Sequence, residues 1–200
     1  MRSPLLAVVF ILMMLTRVDA SPVLGPFLPP TVNERIVESG FAALRNEVSL
    51  PLAPEYCLTL VRLVLEDALG LEPLGLYARW RTHITPRPAG DDYAPWARDM
   101  ERSLRAAGME VPMPRGGGPG ADVDRYVVLD LALLQPGDLL FRWDSPDPRG
   151  HVGILMPGGL VLENASVRNR PDALARGSTV LSPLGTWPVT TVIRFDPTRP

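Results

Sequence analysis

The sequence is short of cysteine and histidine: in 200 residues there are one cysteine, Cys57, and two histidines, His83 and His151. A lone cysteine rules out an internal disulfide, so a packed core rather than a covalent framework must hold the chain together. The same scarcity leaves no recognisable zinc pattern, and neither a metal nor a cofactor is implied. Cationic charge is not in excess either, with 20 Lys and Arg against 22 Asp and Glu and a formal net charge of -2. Nucleic acid, which is held by clustered positive charge, is therefore not an expected partner. One long apolar run occurs, Leu5 to Leu15. It falls short of the roughly 20 residues that span a bilayer, and nothing later compares with it.

What is present fits an ordinary globular domain, with 46% hydrophobic and 21% charged residues. Arg2, the apolar run and the small residues of Val18-Asp19-Ala20 have the layout of a secretory signal over 1–20. The mature chain is then expected to start at Ser21, outside the cytoplasm, either secreted or in the periplasm and cell envelope, with no transmembrane anchor left after cleavage. Four prolines between Pro22 and Pro30 make 21–30 an extended linker. One domain, 31–200, follows, and a monomer is expected.

Thr31-Val32-Asn33-Glu34 has the spacing of a capping box, and Ile36, Val37, Phe41 and Leu44 recur at helical intervals, which predicts a helix over about 32–46. A second helix is predicted from about Pro54 to Leu69, closed by Gly70, with Cys57 in its first turn. Leu58, Val61, Leu65 and Leu69 form its apolar stripe, broadened by Leu60 and Val64, while Arg62, Glu66 and Asp67 point elsewhere. Between about 71 and 125 the pattern weakens into an insertion. Asp92 to Ala107 looks helical there, through Trp96, Met100 and Leu104, and the glycine-rich Pro114 to Gly120 reads as a mobile surface loop. The period then changes to two. Short strands are predicted at 138–143, 151–156, 160–164 and 190–195, with Pro136-Gly137 and Pro157-Gly158-Gly159 supplying turns. Helices first and an antiparallel meander afterwards make an α+β fold.

The chemistry starts from the thiol. A cysteine becomes a strong nucleophile when a helix N-terminus and a nearby imidazole stabilise its thiolate, and Cys57 is placed to have both. Of the two histidines, His151 opens an apolar strand that can hold a ring rigidly, whereas His83 sits among prolines in the irregular region. The next strand ends in Glu163-Asn164. Either could accept the ring N–H and orient it: turn register of like parity presents Glu163, and a slip of one residue presents Asn164. The candidate catalytic residues are thus Cys57, His151, Glu163 and Asn164.

These residues carry a resemblance. Leu134-Gln135-Pro136-Gly137-Asp138-Leu139-Leu140-Phe141, then Gly150-His151-Val152-Gly153-Ile154, then Glu163-Asn164-Ala165-Ser166, resembles the NlpC-type branch of the papain-like cell-wall cysteine peptidases, within the wider CHAP/NlpC superfamily. The likeness covers roughly 57–67 and 130–195. It implies a papain-like fold, with N-terminal helices packed on a C-terminal antiparallel sheet. It also implies a cysteine hydrolase cleaving a peptide or amide bond through a thioester, with a peptidoglycan stem peptide or related amide as substrate. Without a gap, the family's third polar position, usually a histidine or an amide residue, falls on Glu163. Where the family commonly has Asp-Cys-Ser-Gly, this chain has Tyr56-Cys57-Leu58-Thr59. Two alternatives share the fold: a secreted cell-wall-binding protein without turnover, and an amidase or acyltransferase using the same triad.

Overall fold

The computed structural model describes residues 29–45, 57–72, 75–76, 97–116, 126–143, 150–165 and 178–199. Among them are three α-helices, α1 (Val32–Leu44), α2 (Cys57–Leu69) and α3 (Ala97–Ala106). Five strands follow: β1 (Leu139–Arg142), β2 (His151–Met156), β3 (Leu160–Ala165), β4 (Ser178–Pro183) and β5 (Thr191–Ile193). They form one antiparallel sheet in the order β4-β3-β2-β1-β5, so the α+β class holds. The expected signal at 1–20, most of the linker and His83 lie outside the described residues. No described helix is long and apolar enough to cross a membrane.

The capping box forms as its spacing requires: the Thr31 hydroxyl accepts from Glu34 N–H, and the Glu34 carboxylate accepts from Thr31 N–H at 2.7 Å. α1 then runs to Leu44, where Arg45 caps it. In α2, Leu58, Leu60, Val61, Val64 and Leu65 are inaccessible or nearly so. Each such side chain contributes roughly 1.5–3 kcal/mol by leaving water, which makes α2 a principal source of cohesion. The turn expected before it, from Pro54, lies outside the described residues. Arg62 and Glu66 do not point into solvent: both are buried as an ion pair, and the Glu66 carboxylate also accepts from Leu76 N–H at 3.3 Å. Asp67 alone of the three is exposed.

The region read as an insertion contributes to the core. Ala97, Met100 and Leu104 of α3, with Met109 beyond Gly108, join the cluster formed by α1, α2 and one sheet face. Val111 N–H donates to Val192 C=O at 2.9 Å, extending the β5 edge. Of the predicted loop 114–120 only 114–116 are described, and Arg115 pairs there with Val127 in an isolated bridge.

Both faces of the sheet are covered. Leu139, Phe141, Val152, Ile154, Met156 and Leu162 lie under the helices. Leu140, Leu155, Val161 and Val192 on the other face meet Trp187, Val189 and Leu184. Between β2 and β3 the chain turns through Gly158 (φ +77°) and Gly159 (φ +71°), a left-handed pair that residues with a side chain rarely adopt. That turn sets the register Ile154↔Leu162, Leu155↔Val161 and Met156↔Leu160. β4 was not anticipated. It pairs with β3 from Leu160↔Pro183 to Ala165↔Ser178, and its Pro183 is tolerated because β4 is an edge strand.

Candidate active site

The hairpin register decides which polar residue meets His151. Cross-strand partners have like parity, so continuing the ladder by one step sets Glu163 across from Gly153, diagonal to His151 and on the same face. Glu163 Oε2 lies 2.7 Å from His151 Nε2. Its other oxygen, Oε1, accepts from the Ser182 hydroxyl of β4 and from Trp187 Nε1–H at 3.3 Å. Asn164 is also buried, but alternation turns it towards the helix-covered face beside Leu162. The two candidates for the third position are therefore separated by one register step, with the carboxylate on the histidine.

An indole covers this hydrogen bond. The Trp187 ring stands 5.3 Å from the imidazole, centroid to centroid, and the Arg142 guanidinium lies 4.7 Å over the same indole. Arg142 faces His151 across the β1–β2 ladder. Gly153 makes the room: a Cβ there would come within 2.6 Å of Val161 Cγ1 and 2.8 Å of Trp187 Cη2. A side chain at 153 would displace the tryptophan or the strand.

On the helix side, Cys57 is the first residue of α2 and is half-buried. The His151 ring and the N–H groups of Val152 and Leu58 lie close enough to its sulfur to favour the thiolate. Because Nε2 is engaged by Glu163, Nδ1 is the ring nitrogen left for the thiol. The three side chains form a line, Cys57 to His151 to Glu163, built from a helix start and two adjacent strands.

The electrostatics follow from this line. Burial pushes the Cys57 thiol up, but the positive charge and hydrogen bond of His151, helped by Val152 and Leu58 N–H, bring it below its ordinary value of 9.0. Burial alone would push His151 down. The Cys57 thiolate and hydrogen bonds to Cys57 and Glu163 outweigh it, against an opposing push from Arg142, and raise the imidazole to about 9. Burial likewise raises Glu163, and the hydrogen bonds from His151 and Ser182 return it below 4.5. The two shifts run in opposite directions, thiol down and imidazole up, and both favour a thiolate–imidazolium pair over the neutral one. Such a pair offers a nucleophile and a general acid together, with a carboxylate holding the ring.

The sequence brings forward Cys57, His151 and Glu163 and misses Ser182, Trp187 and Arg142. Ser182 lies on the unanticipated strand, where the short alternation Val180-Leu181-Ser182 ending at Pro183 was the available signal. Trp187 had none, because only tertiary packing sets it against His151. Among the described residues, no cluster of three or more His, Cys, Asp or Glu side chains is arranged to hold a metal ion. Comparison of the chain with protein-family models, with curated proteins and with solved structures finds no match.

Proposed function

We propose that the protein is an exported cysteine hydrolase of papain-like architecture that cleaves a peptide or amide bond of bacterial peptidoglycan. The observation that carries this reading is the contact line Cys57–His151–Glu163, in which the thiol is depressed and the imidazole raised to about 9. A cysteine serving only as a small core hydrophobe would have no reason to face an imidazole. The strand motifs around His151 and Glu163, their order after a cysteine-bearing helix, and the export signal expected at 1–20 support the substrate class. The departure at Leu58 has a packing cause: its side chain is buried in the core beneath α2, so its presence does not argue against chemistry at Cys57.

In this mechanism the Cys57 thiolate attacks the carbonyl carbon of the scissile amide. The oxyanion is stabilised by backbone donors, among them Cys57 N–H, which as the first helical amide has no intrahelical acceptor. His151 passes its Nδ1 proton to the leaving amine, the C–N bond breaks and a thioester remains. Neutral His151 then takes a proton from water, the hydroxide adds to the thioester, and the carboxylic acid product leaves as the thiolate and imidazolium are restored. Glu163 keeps the ring in position throughout. An acyltransferase would share every step up to the thioester and differ only in the acceptor.

The test is incubation of the mature chain and its Cys57→Ala variant with purified peptidoglycan, with products identified by mass spectrometry. New amine and carboxylate termini that appear only with the wild type are expected. Intact substrate with both proteins, alongside a thiol that alkylates only after denaturation, would reject the hydrolase.

A further inference from the structure

A cavity of about 430 Å³ lies along α3, walled by Arg98, Arg102 and Arg105 and by Trp143, which follows β1. We infer that it is a subsite for a carboxylate group of the substrate, so that the enzyme prefers acidic peptides; this rests on the hydrolase reading above. The volume is in the range that holds a small ligand.

Charge decides what the cavity suits. The three arginines occur at helical spacings of four and three, which puts them along one side of α3. Two carboxylates also line it, and both are already engaged. Glu101 is buried, accepting from Trp143 Nε1–H at 2.6 Å and from the Thr191 hydroxyl, with Arg105 at 3.9 Å. Glu110 accepts from Arg105 Nε–H at 2.8 Å and pairs with Arg115 at 3.4 Å. That leaves Arg98 and Arg102. Arg98 lies 4.2 Å over the Trp143 ring, and Arg102 takes part in no ion pair among the described residues. A guanidinium over an indole face can keep edge N–H groups available, and that fork matches a carboxylate in two parallel hydrogen bonds. The chain as a whole is slightly acidic, with a net charge of -2, so two uncompensated guanidiniums in one cavity wall are a local reversal of sign.

The cavity also adjoins the start of the strand that carries His151. Trp143 is the chain neighbour of Arg142, which pairs with His151. Gly150, the residue before His151, packs against the start of α3: a Cβ there would stand 3.8 Å from Arg98 N and 3.9 Å from Ala97 Cβ. A peptide held at Cys57 and running past Gly150 would reach the start of α3, where Arg98 stands. The same contacts fix the wall, since Glu101 holds the indole on which Arg98 rests.

The experiment uses the mature Cys57→Ala chain and calorimetric titration with two peptides, N-acetyl-Ala-Glu-Ala and its uncharged counterpart N-acetyl-Ala-Gln-Ala-amide. The acidic peptide is expected to bind about tenfold tighter. Arg98→Gln and Arg102→Gln, both at exposed positions, are each expected to shrink that preference about threefold or more with unchanged melting temperature. Raising the salt from 50 to 500 mM should shrink it as well. Equal affinity for the two peptides, no binding of either at millimolar concentration, or a preference indifferent to both arginines would overturn the subsite. The outcomes separate from those of the hydrolase reading. Carboxylate-dependent binding with no cleavage by the wild type would remove the hydrolase and leave the subsite. Cleavage of both peptides at the same kcat/KM would do the reverse.

Discussion

Glu163 and Glu101 are buried carboxylates on opposite faces of one sheet, and they are surrounded by the same kinds of donor. Glu163 receives an indole N–H from Trp187, a hydroxyl from Ser182 and the ring of His151. Glu101 receives an indole N–H from Trp143, a hydroxyl from Thr191 and the charge of Arg105. The difference is the third partner. A guanidinium keeps its proton at any pH the fold survives, whereas an imidazole can hand its proton on. The same local chemistry therefore serves as an anchor for α3 in one place and, in the proposed hydrolase, as the rear support of a proton carrier in the other.

Substitutions can break this comparison, and the largest effect is expected at the end of the line. Cys57→Ala should abolish hydrolysis and also release His151: without the thiolate that raises it, the ring should titrate well below the wild-type value of about 9. Proton NMR of the rings would read this directly, as His83 is the only other histidine. An unmoved His151 would mean the thiol and imidazole are not coupled.

Next in size, Glu163→Ala should lower kcat by about tenfold to a thousandfold, the loss of an orienting group rather than of a bond-making one. Glu101→Ala should instead cost about 1–3 kcal/mol of stability by leaving Trp143 and Thr191 without their acceptor, with its kinetic effect falling on KM through the loosened cavity wall rather than on kcat. Denaturant unfolding and steady-state kinetics on both variants check the contrast, and interchangeable effects would erase it. Asn164→Ala, on the other face of β3, should leave kcat within about twofold.

The pH dependence has a definite sign. The Cys57 thiol is depressed, so the thiolate persists as pH falls below 9.0, and iodoacetamide should modify it at pH 6 faster than free cysteine. Leaving-group protonation needs the imidazolium, so turnover should decline as pH rises through about 9. Smaller than the effect at Glu163 itself, Ser182→Ala removes one of the donors to that carboxylate and should reduce kcat about two- to tenfold, without shifting the thiol's reactivity at pH 6.

Much of this arrangement is legible in the sequence, and the parts that are not share a cause. The capping box at Thr31, the stripe of α2 and the alternation of β1, β2 and β3 are local signals that the fold obeys. The choice between Glu163 and Asn164 needed only the turn: a left-handed glycine pair gave like-parity pairing and turned the carboxylate to the ring. What escaped depends on partners distant in the chain. Ser182 and Trp187 follow Glu163 by 19 and 24 residues, and no periodicity connects them. Arg62 and Glu66 read as pointing away from the apolar stripe of α2, but each is buried as the other's counterion. The stretch from Ala97 to Met109 read as an excursion because its contacts are made to β2 and β5, far along the sequence.

Gly153 bears on a different clock. By omitting a side chain it lets the Trp187 indole lie over the His151–Glu163 hydrogen bond, and both Trp187 and Glu163 are only 5% exposed. Bulk water then has little access to the Nε2 proton. That proton should exchange with solvent slowly enough to give a separate far-downfield resonance, while the Nδ1 proton facing Cys57 exchanges fast. One ring would thus keep two proton lifetimes: a long one on the side that fixes its orientation, and a short one on the side that delivers.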